Sequence, residues 1–126
     1  MKALNKVQLI GNVGNAPEIR STPSGSKVAK LSIATNRTWK DRDGTVQEKT
    51  DWHRCTFFGQ IADVVEKWVK KGDRLYVEGR IEYSTSEADG VKKYFTDVVV
   101  QELIMLGSTQ DRAEDLHEPE GDGLPF

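Results

Sequence analysis

A chain of 126 residues, 37% hydrophobic and 30% charged with 11 Gly and 4 Pro, has globular composition and the length of one compact domain, which excludes two-domain catalytic architectures. The single cysteine, Cys55, excludes an internal disulfide framework, and no apolar run approaches the roughly 18 residues of a membrane span. The net charge of −2 divides unevenly: residues 1–107 hold 17 Lys and Arg against 14 Asp and Glu, whereas residues 108–126 hold Arg112 against six acids.

Near the start, Asn5, Lys6 and Gln8 interrupt any apolar stretch, so no secretory signal is read and a cytoplasmic location is expected. Val7 to Val13, Ala29 to Thr35 and Trp52 to Phe58 are short runs rich in β-branched or aromatic residues. Pro17, Pro23-Ser24-Gly25 and Asp43-Gly44 separate them as turn-formers, and they predict the first three strands. From Ile61 the period changes. Ile61, Val64, Val65, Trp68 and Val69 fall at helical spacing and Lys70-Lys71-Gly72 is a stop signal, predicting one amphipathic helix of about three turns. Alternation then resumes in a fourth strand, with Leu75, Val77 and Ile81 opposite Tyr76, Glu78 and Arg80. A hairpin tip at Ala88-Asp89-Gly90 and a fifth strand from Tyr94 to Leu106 complete the body. The order β-β-β-α-β-β predicts an all-β OB-fold, a five-stranded antiparallel barrel with one helix between strands three and four, over residues 1–107. Beyond Gly107-Ser108 the chain loses its apolar periodicity, and residues 108–126 are expected to form a disordered acidic tail.

The chemistry concentrates in the third strand. Its two-residue period places Trp52, Arg54, Thr56 and Phe58 on one face and His53, Cys55 and Phe57 on the other. A face that interleaves aromatics with a cation suits a single-stranded nucleic acid, because bases stack on flat rings while cations neutralise the phosphates between them. Trp39, Lys40, Arg42 and Lys49 extend the track, although strict alternation puts Trp39 on the face of Leu31 and Ile33 unless a bulge re-aims it.

Enzymatic readings each lack a partner. Asp41, Asp43, Asp51 and His53 raise a metal-dependent nuclease as a candidate, since hard cations take carboxylate oxygens, yet Asp-x-Asp around a Gly turn is ordinary loop chemistry. His53 and Cys55 share a face, but zinc takes four ligands, or three and a water, and the only other histidine is His117 in the tail. Cys55 with His53 also suggests a nucleophile, against the alternative of a half-buried thiol beside a hydrogen-bonded imidazole. Gly11-Asn12-Val13-Gly14 lacks the spacing and the Lys-Ser/Thr of a phosphate-binding loop and reads as a strand end and turn. No catalytic residue, metal or cofactor is expected. A protein-interaction adaptor on the same barrel is the alternative function, with the nuclease behind it.

Leu124-Pro125-Phe126 places two large apolar side chains at the end of the acidic segment. One reading is a terminus without a role; the other is a docking peptide whose Phe126 fills a pocket while Glu118, Glu120 and Asp122 steer the encounter.

Taken together, Asn5-Lys6-Val7, Gly11-Asn12-Val13-Gly14, Pro17-Glu18, Trp39 and Thr50-Asp51-Trp52-His53-Arg54 resemble the bacterial single-stranded DNA-binding proteins. Phe58-Gly59, Lys70-Lys71-Gly72, Val77-Glu78-Gly79-Arg80, Val98-Val99-Val100 and the terminal Leu-Pro-Phe continue the resemblance, which covers most of residues 4–107. It implies an OB-fold, assembled as a homotetramer, that wraps and protects single-stranded DNA in replication, recombination and repair, near the nucleoid and without catalysis. Trp39, Trp52 and Phe58 match the family's base-stacking aromatics, and Lys6, Arg42, Arg54 and Lys71 its basic positions. His53 matches a histidine at a subunit interface, and the match implies a bulged, outward Trp39. The tip, with Asp122, Leu124, Pro125 and Phe126, would recruit other proteins of DNA metabolism. Three features depart from the pattern: Ser86 stands where the family often has an aromatic in the hairpin between strands four and five, the tail has only 19 residues, and Gly123 replaces a common acid.

Overall fold

Residues 2–107, which the computed structural model describes, form six strands and one helix. They are β1 (Val7–Val13), β2 (Glu18–Ser21), β3 (Lys27–Lys40), β4 (Val46–Phe58), α1 (Gln60–Trp68), β5 (Arg74–Ala88) and β6 (Val91–Gly107). Hydrogen-bonded neighbours run β1-β5-β6-β4-β3-β2, and β1 also meets β3 at Asn12↔Ala34 and Val13↔Ile33. Strands β1, β5, β6, β4 and β3 thus close a five-stranded barrel, the OB-fold expected from the element order, with β2 added along β3. All pairings are antiparallel except β4 with β6, where Cys55 lies opposite Val98 and Thr56 opposite Val99. That parallel contact sends the first halves of β4 and β6 out of the same end of the barrel.

Period-two alternation builds the core. Ala29, Leu31 and Ile33 of β3, Cys55 and Phe57 of β4, Leu75 and Val77 of β5 and Val98 and Val100 of β6 are buried together. Ala62 and Val65 of α1 and Val69 just beyond it join the same cluster. Lys27 of β3 anchors the helix from outside, with Nζ 2.9 Å from Asp63 Oδ1 and also bonded to Glu66. The two carboxylates, Glu66 first, hold the Lys27 pKa above its ordinary value.

Several boundaries differ from expectation, for identifiable reasons. β2 was not expected: a four-residue strand between Pro17 and Pro23 is too short to display a period, and it exists by pairing with β3 through Glu18↔Lys30 to Ser21↔Lys27. β3 and β4 overrun their predicted ends and pair without a shift from Val28↔Phe58 to Lys40↔Val46, forming a hairpin arm beyond the barrel. β5 and β6 likewise continue to Ala88↔Val91, closed by Asp89 and Gly90 at φ 53° and 77°, a two-residue turn whose positive angles suit that pair. The helix spans nine residues and ends at Trp68, one residue before the last position of the predicted period, because Val69 is already extended, at φ −87° and ψ 131°.

Candidate nucleic-acid interface

Directly paired strand residues share a face, so the register Ala34↔Trp52, Ser32↔Arg54 and Val28↔Phe58 aims Trp52, Arg54 and Phe58 out of the barrel. Their neighbours Cys55 and Phe57 go inward with Leu31 and Ala29, as the alternation predicts. Trp52 is 60% exposed and Phe58 50%. The Trp52 ring lies across Gly14, where an added methyl would come within 2.1 Å of its Cζ3. Gly14 is itself held, its N–H donating to the Ser32 carbonyl at 2.9 Å. The Gly11-Asn12-Val13-Gly14 run therefore ends in a platform for the indole. Lys71 adjoins that platform, because the following Gly72 N–H donates to the Val13 carbonyl at 2.8 Å.

The Arg54 guanidinium has two neighbours on β6. Its Nε is 3.0 Å from Asp97 Oδ1, and its Cζ lies 4.8 Å from the Phe95 ring centroid. Asp97 Oδ1 is buried and makes no hydrogen bond, so the contact is a charge pair rather than an aligned N–H···O. Beside it runs a groove of about 140 Å³ whose lining includes Asn15, Lys30, Ser32, Thr56 and Asp97. Phe95 and Asp97 are neighbours of Arg54 that sequence reasoning missed. Their signal was the outward parity of β6, which becomes readable only with the β4–β6 register.

Trp39 requires a correction. The β3–β4 ladder is unbroken, so no bulge re-aims this residue. Trp39 keeps the parity of Leu31 and Ile33 and is nonetheless 44% exposed, because the hairpin has left the barrel and the inward-facing parity now meets solvent. Arg37 lies over its ring at 5.2 Å. Trp39 and Trp52 therefore occupy opposite faces of one hairpin. Exposed Arg42 sits in the loop at its tip. Lys6 lies elsewhere, just before β1, 3.4 Å from Glu78 in a network where Gln8 donates to the Tyr76 hydroxyl and that hydroxyl donates to Glu78. The seven predicted contact residues thus fall into an outer-face group (Trp52, Arg54 and Phe58, with Lys71 nearby), an arm group (Trp39 and Arg42) and Lys6.

Asp41, Asp51 and His53 of the nuclease reading are otherwise engaged. Asp41 Oδ1 accepts from the Asp43 and Thr45 amides and Oδ2 from the Gln47 side chain, which chiefly holds its carboxyl below the usual range. Asp51 lies 3.7 Å from both Arg37 and Lys49. No group of three or more His, Cys, Asp and Glu among the described residues could hold a metal. His53 Nε2 is hydrogen-bonded to the Thr35 hydroxyl at 2.9 Å, while the Cys55 thiol donates to the His53 carbonyl at 3.6 Å. The two side chains therefore form no dyad. Cys55 is wholly buried rather than half-buried, and burial, aided by the charge of Asp97, pushes its pKa up to about 12. The expected tail, 108–126, with Asp122, Leu124, Pro125 and Phe126, lies outside the described residues.

Comparison with known proteins locates this barrel. The sequence model of the single-strand binding protein family matches residues 4–106. Single-stranded DNA-binding protein 1 of Xylella fastidiosa is 43% identical over 127 residues, covering 99% of this chain and 93% of that one. The single-stranded DNA-binding protein of Xanthomonas axonopodis pv. citri is 44% identical over 107 residues, but this chain spans only 59% of its length. Among solved structures, the Plasmodium falciparum protein in complex with single-stranded DNA superposes with a TM-score of 0.80 at 39% identity, covering 84% of this chain and 97% of that one. A deletion variant of the Thermus aquaticus single-stranded DNA-binding protein gives 0.74 at 33%, covering 84% and 52%. With the barrel, the family match and the relatives in agreement over the same residues, this chain belongs to the single-strand binding protein family, whose members bind DNA without catalysing a reaction on it.

Proposed function

We propose that the protein binds and protects single-stranded DNA without strong sequence preference, stacking bases on Trp39, Trp52 and Phe58 and meeting phosphates with Lys6, Arg42, Arg54 and Lys71. The observation that carries this reading is the outer face of β4, where two large rings lie half or more exposed on either side of Arg54. Rings on a solvent-facing strand add nothing to the core, whereas a flexible strand of bases gives each a partner. Replication, recombination and repair are the settings, in the cytoplasm at the nucleoid. Asp122, Leu124, Pro125 and Phe126 recruit the other proteins of those processes.

Assembly as a homotetramer is part of the proposal. From Val7 to Gly11, β1 pairs only with β5, leaving its other edge open, and Ile10 and Ile104 are exposed on the outer face of the same sheet. An open edge beside apolar side chains fits further copies of the chain, and His53 lies at a contact between subunits.

Titration of tryptophan fluorescence with oligo-dT and with matched duplex, at low and high salt, tests binding. Strong quenching by the single strand alone is expected, and Trp52→Ala should weaken affinity by about tenfold, within the 1–3 kcal/mol of one stacked base. No response to either nucleic acid would overturn the reading. Sedimentation equilibrium should return a tetramer mass, and a monomer would refute the assembly.

A further inference from the structure

The β5–β6 arm carries two aromatics that the proposed interface leaves unused. The register Tyr83↔Thr96, Thr85↔Tyr94 and Glu87↔Lys92 puts Tyr83, Tyr94 and Lys92 on one face of the arm, with the tyrosines as diagonal cross-strand neighbours. Each is 74% exposed. Phe95 and Ser86 point the other way, paired with Ser84 and Lys93. The tyrosines therefore do not stand in for the aromatic missing at Ser86; they supply rings to the opposite face.

The barrel topology gives that face a counterpart. Because β4 and β6 run parallel, both arms leave the barrel at the same end. Followed outward from Cys55 and Val98, the shared parity that carries Tyr83 and Tyr94 on one arm carries Trp39, Arg37 and Lys49 on the other. Aromatic rings on both arms are thus interspersed with Arg37, Lys49 and Lys92, set against Asp51 and Glu87. The chemistry is that of stacking interleaved with phosphate neutralisation, with an excess of positive charge.

We infer that Tyr83 and Tyr94 form, with Trp39, a second base-stacking track for single-stranded DNA, on the face opposite Trp52, Phe58 and Phe95. A bound strand then touches both faces of the arms rather than running over the outer face alone. This rests on the proposed DNA-binding function and extends it to residues at which the resemblance assigns no role.

The test uses the full chain carrying Tyr83→Ala and Tyr94→Ala together, beside the Tyr83→Phe and Tyr94→Phe pair and Trp52→Ala, titrated with oligo-dT. The alanine pair should lose about thirtyfold or more in affinity, as two stacking contacts would require, with unchanged circular dichroism and assembly mass. The phenylalanine pair should retain affinity, since stacking uses the ring and not the hydroxyl. Full affinity in the alanine pair while Trp52→Ala weakens binding would overturn the inference and leave the outer-face reading standing. No weakening in either would defeat both. A changed assembly mass with unchanged affinity would overturn it too, identifying the tyrosine face as a contact between copies.

Discussion

Arg54 is drawn in two directions. In the proposed interface a phosphate has to compete with Asp97, already 3.0 Å from its Nε, while the Phe95 ring centroid lies 4.8 Å from its Cζ. The carboxylate therefore holds the side chain in place and opposes its use. Replacing Asp97 by Asn removes the charge and keeps the shape, so Asp97→Asn should tighten binding to oligo-dT and steepen its salt dependence by about 0.7, the slope of one further neutralised phosphate. Titrations at several salt concentrations measure this; an unchanged slope would mean that Asp97 does not compete with DNA. Cys55 makes a different prediction. Its thiol, raised from 9.0 to about 12 chiefly by burial, binds its proton more tightly folded than unfolded. Its contribution to stability is therefore complete below pH 9.0 and declines as the pH climbs through that window toward 12. Iodoacetamide at pH 8 should label Cys55 only after unfolding, and rapid labelling of the native protein would contradict its burial.

Two kinds of element share this chain. Inside the barrel each strand has one buried face, so alternation was legible, and Ala29 to Thr35, Trp52 to Phe58 and the Leu75-Val77 pattern were recognised from the residues. The arms have solvent on both faces, so apart from the Ala88-Asp89-Gly90 tip and the strand from Tyr94 their extent carried no alternation to read, and the four-residue β2 has no room for a period. Trp39 shows the cost: its parity was read correctly, but parity alone does not say where a strand leaves the barrel. Replacing residues 37–49 by an Asn-Gly turn should therefore leave the buried cluster and the urea midpoint nearly unchanged. Affinity for oligo-dT should fall by at least about tenfold with the loss of Trp39, Arg37 and Arg42. A large drop in the unfolding midpoint would show that the arm stabilises the barrel.

At the scale of the whole molecule, the average charge misleads. A net −2 combines a body of +3 with an acidic segment of −5 in residues 108–126. Removing that segment leaves a cationic domain facing a polyanion, so the 1–107 chain should bind oligo-dT more tightly than the full chain at low salt. The difference should vanish as salt shortens the screening length to about 3 Å at 1 M. Equal affinities at low salt would exclude electrostatic competition by the segment. Shared parity and parallel closure at one end then give a scaffold whose two arms both carry exposed rings, Trp39 on one and Tyr83 and Tyr94 on the other.

By itself the sequence determined what depends on near neighbours: the two-residue period that turns Trp52, Arg54 and Phe58 away from Cys55 and Phe57, the helical spacing after Ile61, the Asp89-Gly90 turn, and the run of motifs that resembles the family. Backbone geometry converts each of these into structure over a few residues. Only the tertiary structure decided which distant residues meet. Closure through β4–β6 brought Asp97 and Phe95 to Arg54, the end of β1 placed Gly14 beneath Trp52, and the length of the arms carried Trp39, Tyr83 and Tyr94 clear of the core. Those contacts arise between strands far apart in the chain, where register and barrel closure, rather than local preference, set the partner.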